Sequence, residues 1–103
     1  EAVRRARARA PRRFVIEVEV STQAQVEAAV RAGAEALLLD NMTPAQLRAA
    51  ARWVAGRAFL EASGGVTLAN VREIAATGVN AISVGALTHS APAIDLSLEV
   101  TPC

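Results

Sequence analysis

The fold follows from a short apolar run that ends in a carboxylate, Ala36-Leu37-Leu38-Leu39-Asp40. Three similar runs also end in a residue type that can act in catalysis or ligand binding. They are Phe14-Val15-Ile16-Glu17-Val18-Glu19, Ala58-Phe59-Leu60-Glu61-Ala62-Ser63 and Ala81-Ile82-Ser83-Val84-Gly85. The runs end at residues 19, 40, 63 and 85, so successive ends lie 21, 23 and 22 residues apart. That is about the length of one strand, one helix and two short loops. The sequence therefore predicts an α/β fold built as a parallel array of βα units.

Local signals set the bounds of the predicted elements. Strands are predicted over 14–20, 35–39, 57–62 and 80–84. Helices are predicted over 1–10, from Ser21 or Thr22 to Ala32, from Thr43 to Gly56 and from Thr67 to Gly78, with a last short helix or turn from Ser90. About eight strands are needed to close a barrel. Four parallel strands are therefore expected to form a partial TIM-like barrel fragment, with all their C-terminal ends on the face where barrel enzymes keep their active sites.

Composition excludes several classes of protein. The chain has 103 residues, 52% of them hydrophobic and 20% charged, with a net charge of +1, which indicates one packed domain or part of one. No run of apolar residues is long enough to span a membrane, and no signal peptide is recognisable. Cys103 is the one cysteine and supports no internal disulfide. The cytoplasm is therefore the expected compartment.

Six of the eleven arginines fall within the first thirteen residues: Arg4, Arg5, Arg7, Arg9, Arg12 and Arg13. Such a cluster can bind nucleic acid or a membrane surface, but no aromatic residue is interleaved with it for base stacking. Val3, Ala6 and Ala10 occupy the other side of the predicted helix. We therefore expect a solvated helix face, with no nucleic acid and no membrane as partner.

Two carboxylates are predicted to meet at the ends of adjacent strands. Glu17 and Glu19 are two residues apart on one strand and point the same way, and Asp40 ends the next strand. Neighbouring strands lie about 4.8 Å apart, so Glu19 and Asp40 could share one cation or one polyol. Mg²⁺ fits such a site because it takes few carboxylates together with water and substrate oxygens. Salt bridges to arginine or lysine inside a barrel are the structural alternative.

Glycine-containing loops follow the last two predicted strands. In Ser63-Gly64-Gly65 the glycines allow close approach of an anion to the backbone, and the next helix offers its N-terminal N–H groups. Gly85 opens a similar loop that contains His89, the one histidine. Barrel enzymes often bind phosphate at two consecutive late loops. The alternatives are an ordinary tight turn for the glycines and a structural or exposed role for His89.

The four strand ends together resemble a known family. The strings Ile16-Glu17-Val18-Glu19-Val20, Leu38-Leu39-Asp40-Asn41-Met42, Leu60-Glu61-Ala62-Ser63-Gly64-Gly65-Val66 and Ile82-Ser83-Val84-Gly85-Ala86-Leu87-Thr88-His89-Ser90 are similar to quinolinate phosphoribosyltransferase, also called nicotinate-nucleotide pyrophosphorylase (carboxylating). Ile94-Asp95-Leu96-Ser97-Leu98 continues the resemblance, which covers the whole of residues 1–103 as the C-terminal segment of an α/β-barrel phosphoribosyltransferase domain.

The resemblance implies a transferase of NAD biosynthesis. This family joins quinolinate to phosphoribosyl pyrophosphate in the presence of Mg²⁺, giving nicotinate mononucleotide, pyrophosphate and carbon dioxide, and it works as a homo-oligomer, a dimer or hexamer. By position, Glu19 and Asp40 resemble its catalytic carboxylates, which hold Mg²⁺ near the ribose hydroxyls. Ser63, Gly64, Gly85 and His89 resemble its substrate-binding residues at the phosphates.

The chain departs from the family pattern in ways that affect activity. It has no lysine, whereas the family binds its dicarboxylate with arginines, a histidine and lysines from upstream barrel segments and from a neighbouring subunit. It resembles only about the last third of the family's polypeptide. We therefore expect a truncated, proteolysed or excised half-barrel that is inactive in isolation.

Two alternatives remain open from the sequence. One is a sister phosphoribosyltransferase of the type associated with molybdenum transport, which upstream residues of the base pocket would distinguish. The other is a self-associating half-barrel that serves as an assembly unit, because apolar strand edges at 14–20 and 81–85 would favour dimerisation.

Overall fold

A computed structural model of the chain describes residues 1–9 and 15–84, and the backbone of 97–99. Its helices and strands alternate along the chain in the order α1 (Ala2–Arg9), β1 (Glu17–Val20), α2 (Gln23–Arg31), β2 (Ala36–Asp40), α3 (Pro44–Val54), β3 (Phe59–Ser63), α4 (Val71–Ala75), β4 (Ala81–Ser83) and β5 (Ser97–Glu99). The strands form one sheet in their sequence order. Strands β1 to β4 run parallel, so the predicted parallel βα array is confirmed.

The structure moves several predicted boundaries. Strand β1 begins at Glu17 rather than at residue 14, and the other parallel strands are displaced by one or two residues at their ends. Helix α4 begins at Val71, four residues after the predicted cap at Thr67. The Thr67 carbonyl does accept a hydrogen bond from the Val71 N–H, at 2.9 Å. However, the Asn70 Oδ1 accepts from the Thr67 N–H at 2.8 Å and holds residues 67–70 as a turn.

Helices α2 and α3 begin where their capping residues predict. The Thr22 hydroxyl accepts from the Gln25 N–H at 3.2 Å. At α3, Thr43 and Gln46 form a reciprocal capping box, and Pro44 occupies the first turn. A capping box satisfies two backbone donors that would otherwise lack partners at a helix start. Each of these helices therefore begins within four residues of the strand before it.

The two faces of the sheet differ in chemistry. One face carries the apolar side chains of alternate strand residues, which pack with the helices into a single core; its most buried members are Val26, Leu37, Leu39, Leu47, Val54 and Ile82. The opposite face, called here the open face, carries the other alternate residues: Glu17, Glu19, Ala36, Leu38, Asp40, Phe59, Glu61, Ser63, Ala81 and Ser83. Eight of these ten are exposed or half-buried, and the two small residues Ala36 and Ala81 are buried. Within the described ranges, this face is therefore mostly polar and largely uncovered.

Strand β5 pairs antiparallel with β4, an arrangement that the sequence analysis does not predict. The pairing runs from Ala81 opposite Glu99 to Ser83 opposite Ser97. It covers the edge of β4 that the assembly hypothesis requires to be exposed over 81–85. At residues 81–83 this strand edge is therefore already paired and is not free for dimerisation.

Leu47 offers a direct test of the core. It is 1% exposed and lies on α3. We expect Leu47→Ala to lower the free energy of unfolding by about 2–5 kcal/mol, because it removes buried methyl groups and leaves a cavity. The neighbouring Arg48→Ala, at an exposed position of the same helix, should change stability by less than about 0.5 kcal/mol. Urea unfolding of the two variants checks this, and equal losses would contradict the assigned helix face.

Candidate active site

Glu19 and Asp40 border one cleft at the C-terminal ends of β1 and β2. The cleft has a volume of about 300 Å³ and is lined by Glu19, Val20, Ser21, Gln25 and Asp40. Glu19 lies opposite Leu38 in the register, so Asp40 is two residues further along the neighbouring strand and on the same face. The structure therefore brings the two sequence-predicted carboxylates together.

Within the described residues, the ion pairs do not support the alternative role of these carboxylates as salt-bridge partners. In residues 1–9 and 15–84, ion pairs join Arg5 to Glu1, Arg7 to Glu35 and Arg31 to Glu27. None of these includes Glu19 or Asp40. Both carboxylates instead line the cleft.

The donor set of the cleft fits Mg²⁺. No three acidic, histidine or cysteine side chains group into a metal cage in the described part of the chain, so a site with many protein ligands does not exist there. Two carboxylates, Glu19 and Asp40, border the cleft, and its remaining wall leaves room for water or substrate oxygens. Mg²⁺ is bound in this way, by one or two carboxylates together with waters and phosphates.

The glycine turn after β3 packs directly against Asp40. A Cβ atom on Gly64 would lie 2.9 Å from Asp40 Oδ1 and 3.1 Å from the Asn41 nitrogen. Gly64 and Gly65 both have positive φ, at +81° and +68°, and so does Asn41, at 54°. The Asn41 N–H donates to the Ser63 carbonyl at 2.8 Å. Only glycine fits this close approach without strain, so the predicted Ser63-Gly64-Gly65 turn and Asp40 form one unit.

Asn70 fixes the far side of this turn, and the sequence analysis does not identify it. Its Nδ2 donates to the Gly65 carbonyl at 2.9 Å, while its Oδ1 accepts from the Thr67 N–H at 2.8 Å. The signal that could have revealed it is an asparagine three residues after a threonine, a spacing that lets its side chain accept from the threonine N–H as in a capping box.

The structure corrects the expected start of the next helix at the phosphate site. Helix α4 has only five residues and begins at Val71, six residues after Gly65. Within the intervening turn, the Thr67 N–H is already bonded to Asn70 Oδ1. The first residue of the helix therefore does not directly follow the glycine turn.

Gly85 and His89 lie outside the described residues, so their predicted substrate contacts remain predictions. The described chain reaches Val84, where β4 has just ended. Ser83, on the open face, donates a hydrogen bond to Glu61 Oε1 at 3.0 Å. Glu61 is a second residue that the sequence analysis does not single out, although it lies two residues before Ser63 and so shares its face.

Four of the six clustered arginines, Arg4, Arg5, Arg7 and Arg9, lie on α1. Val3 is buried in the core, while Arg4, Arg5 and Arg9 are exposed, as expected for a solvated helix face. Ala6, predicted on the other side of the helix, is exposed as well. Arg7 pairs with Glu35, just before the start of β2. This contact places the C-terminal part of α1 near the start of β2, whereas Glu1, Ala2 and Val3 at its other end line a pocket together with Glu19 and Val20.

Comparison with known proteins identifies the family of this chain. Residues 1–99 match the family model for the C-terminal domain of quinolinate phosphoribosyl transferase. The chain belongs to this family. A Bacillus subtilis relative, named as a probable carboxylating nicotinate-nucleotide pyrophosphorylase, is 42% identical over 98% of the chain and 35% of its own length. The human carboxylating nicotinate-nucleotide pyrophosphorylase is 39% identical over 97% of the chain and 35% of its own length.

Solved structures agree with the family assignment. The nicotinate-nucleotide pyrophosphorylase of Francisella tularensis superposes with a TM-score of 0.79 at 38% identity, covering 97% of this chain and 36% of the solved one. The chain thus spans about a third of the length of the curated relatives and solved structures that it matches. In the described residues, no helix has the length and apolar character needed to cross a membrane.

Substitution of Gly64 tests the packing of the glycine turn on Asp40. Gly64→Ala should lower the free energy of unfolding by about 1–3 kcal/mol, because it adds both backbone strain and a contact with the carboxylate. Gly56→Ala is the matched control: its φ of +80° is nearly the same, but its added Cβ would meet nothing within 4 Å. Chemical unfolding of both variants isolates the contact, and equal losses would contradict the close approach of Gly64 to Asp40.

Proposed function

We propose that this chain supplies the phosphoribosyl-binding face of a quinolinate phosphoribosyltransferase. The observation that carries the proposal is the cleft between Glu19 and Asp40 beside the Gly64 turn, in a chain that belongs to this family. The reaction joins quinolinate to phosphoribosyl pyrophosphate and yields nicotinate mononucleotide, pyrophosphate and carbon dioxide. A bond forms between the pyridine nitrogen and ribose C1, and the C1–pyrophosphate bond breaks. The pyridine C2 then loses its carboxylate as carbon dioxide and takes a proton.

The carboxylates act on the charge that develops at the ribose. Departure of pyrophosphate gives the sugar oxocarbenium character, which is cationic. Glu19 and Asp40, placed on one face and without ion-pair partners in the described ranges, stabilise that positive charge. They also accept hydrogen bonds from the ribose hydroxyls, since an ionised carboxylate is an acceptor only.

Mg²⁺ would be held by Glu19 and Asp40. When bound, it neutralises the negative charge on the pyrophosphate leaving group. The Gly64-Gly65 turn lies directly beside Asp40 and can present backbone N–H groups to a phosphate oxygen, with the Ser63 hydroxyl as a further donor. Gly85 and His89 extend the phosphate site in this proposal, on the strength of the family resemblance.

The open face does not provide a complete substrate pocket. Its charged side chains in the described residues are Glu17, Glu19, Asp40 and Glu61, and no arginine lies among them. A pyridine dicarboxylate needs cationic partners, which would have to come from other segments or from another subunit of a homo-oligomer. The isolated chain should therefore bind the phosphoribosyl group without turnover. We propose a cytoplasmic enzyme that has no nucleic acid or membrane as partner.

The two alternative functions, a sister phosphoribosyltransferase and a self-associating assembly unit, have less support. The relatives reported above carry the pyrophosphorylase name, which favours quinolinate over the substrate of a molybdenum-transport-associated sister enzyme. Pairing of β5 with β4 counts against a self-associating assembly unit.

A chimeric enzyme tests the reaction. Residues 1–103 replace the matching segment of the Bacillus subtilis relative, and formation of nicotinate mononucleotide is measured with quinolinate, phosphoribosyl pyrophosphate and Mg²⁺. We expect turnover, and we expect Asp40→Asn to lower kcat by about 100-fold or more through loss of a charge that stabilises the transition state. Glu17→Gln is the matched control, since Glu17 lies on the same face at the far end of β1, and it should retain activity. A folded chimera in which Asp40→Asn matches the unsubstituted chimera would refute the proposal.

A further inference from the structure

The hydrogen bond between Ser83 and Glu61 joins two strands at the edge of the proposed phosphate site. Both side chains are half-buried on the open face, and the Ser83 hydroxyl donates to Glu61 Oε1 at 3.0 Å. Neither residue has a role in the reaction as derived above. Glu61 lies two residues before Ser63, and Ser83 lies one residue before Val84, at the end of the described part of β4.

Backbone pairing between β3 and β4 is short at this place. Its register covers Glu61 with Ala81 and Ala62 with Ile82, whereas β2 and β3 pair over five positions. Ser83 lies beyond the last of the two pairs and reaches back to Glu61. At the other end of β4, the Asn80 side chain accepts from the Leu60 N–H at 2.8 Å. Side chains therefore extend the attachment of β4 to β3 at both ends of a short ladder.

We propose that Glu61 and Ser83 form a cross-strand clamp that positions the Ser63-Gly64-Gly65 turn for phosphate, which makes Glu61 a positioning residue. The clamp fixes the end of β4 against the end of β3, and the turn leaves β3 directly after Ser63. Asp40 contacts the same turn from β2, so the clamp holds the turn from the β4 side while Asp40 borders it from the β2 side. This inference rests on the proposed function, because it assigns the turn to phosphate.

Substitutions at the two positions distinguish a clamp from a direct contact with substrate. Ser83→Ala removes the donor, and Ser83→Thr retains it. Glu61→Gln removes the charge but keeps an amide oxygen that can accept from Ser83. A clamp therefore predicts that Ser83→Ala is the damaging change, with Ser83→Thr and Glu61→Gln close to the unsubstituted chain. If the Glu61 carboxylate instead contacts substrate, Glu61→Gln should be the damaging change and Ser83→Ala should stay close to the unsubstituted chain.

Titration of the chain with phosphoribosyl pyrophosphate and Mg²⁺ measures the effect on affinity. Loss of a hydrogen bond to a charged group should weaken binding by about tenfold in Ser83→Ala. Ser83→Thr and Glu61→Gln should stay within about threefold, and Glu61→Ala combined with Ser83→Ala should be no worse than the poorer single variant. Thr77→Ala is the matched control, since it removes a buried hydroxyl just after α4, away from the open face, that donates to the Ile74 carbonyl at 2.6 Å. It should reduce stability but leave affinity unchanged.

Amide hydrogen exchange separates failure of the clamp from failure of the proposed function. Without ligand, Ser83→Ala should speed exchange of the Asn41 N–H, which donates to the Ser63 carbonyl at 2.8 Å, by about tenfold, through local opening, and Thr77→Ala should not. If the unsubstituted chain binds no phosphoribosyl pyrophosphate, the proposed function fails while the exchange result still decides the clamp. Unchanged exchange in Ser83→Ala would overturn the clamp, and so would a loss of affinity in Glu61→Gln as large as that in Ser83→Ala.

Discussion

The register of the parallel strands is the constraint on which the rest of the structure depends. Glu17, Ala36 and Phe59 share one row across β1, β2 and β3, and Asp40 and Ser63 share another. Side chains alternate between the two faces of a sheet, so a slip of one residue in any strand would exchange its faces. The slipped strand would bury its carboxylate against the helices. The apolar core therefore fixes the register, and the register places the carboxylates.

Because the apolar and the acidic side chains lie on opposite faces, one sheet can be both stable and acidic. The buried face packs side chains such as Leu37, Leu39 and Ile82 against the helices, and this burial provides the main stabilisation. The carboxylates of the open face stay in contact with water in the described chain, which avoids the cost of burying charge. They also repel a polyanionic ligand, so binding of a phosphoribosyl group there depends on a cation between carboxylate and phosphate. The acidic face and the proposed Mg²⁺ are thus parts of one electrostatic arrangement.

Strand positions and the residues at their ends could be predicted from the sequence, because alternation and chain spacing are local properties. The step of 21 residues from Glu19 to Asp40 sufficed to bring both to one cleft. Features that depend on non-local side-chain contacts could not be predicted in this way. Asn70 bonds back to Gly65 across a turn, and Glu61 meets Ser83 from 22 residues away. Helix α4 begins four residues later than predicted, because the Asn70 side chain holds residues 67–70 as a turn.

Nuclear magnetic resonance of the chain with phosphoribosyl pyrophosphate and Mg²⁺ tests the central claim most directly, since it locates the ligand residue by residue. The claim is that the ligand binds at the C-terminal strand ends of the open face. The account predicts amide shift changes at Asn41, Gly64 and Gly65, with little change at Arg7 and Arg9 in the C-terminal part of α1. Changes confined to the arginines of α1, or no changes in a folded chain, would contradict it.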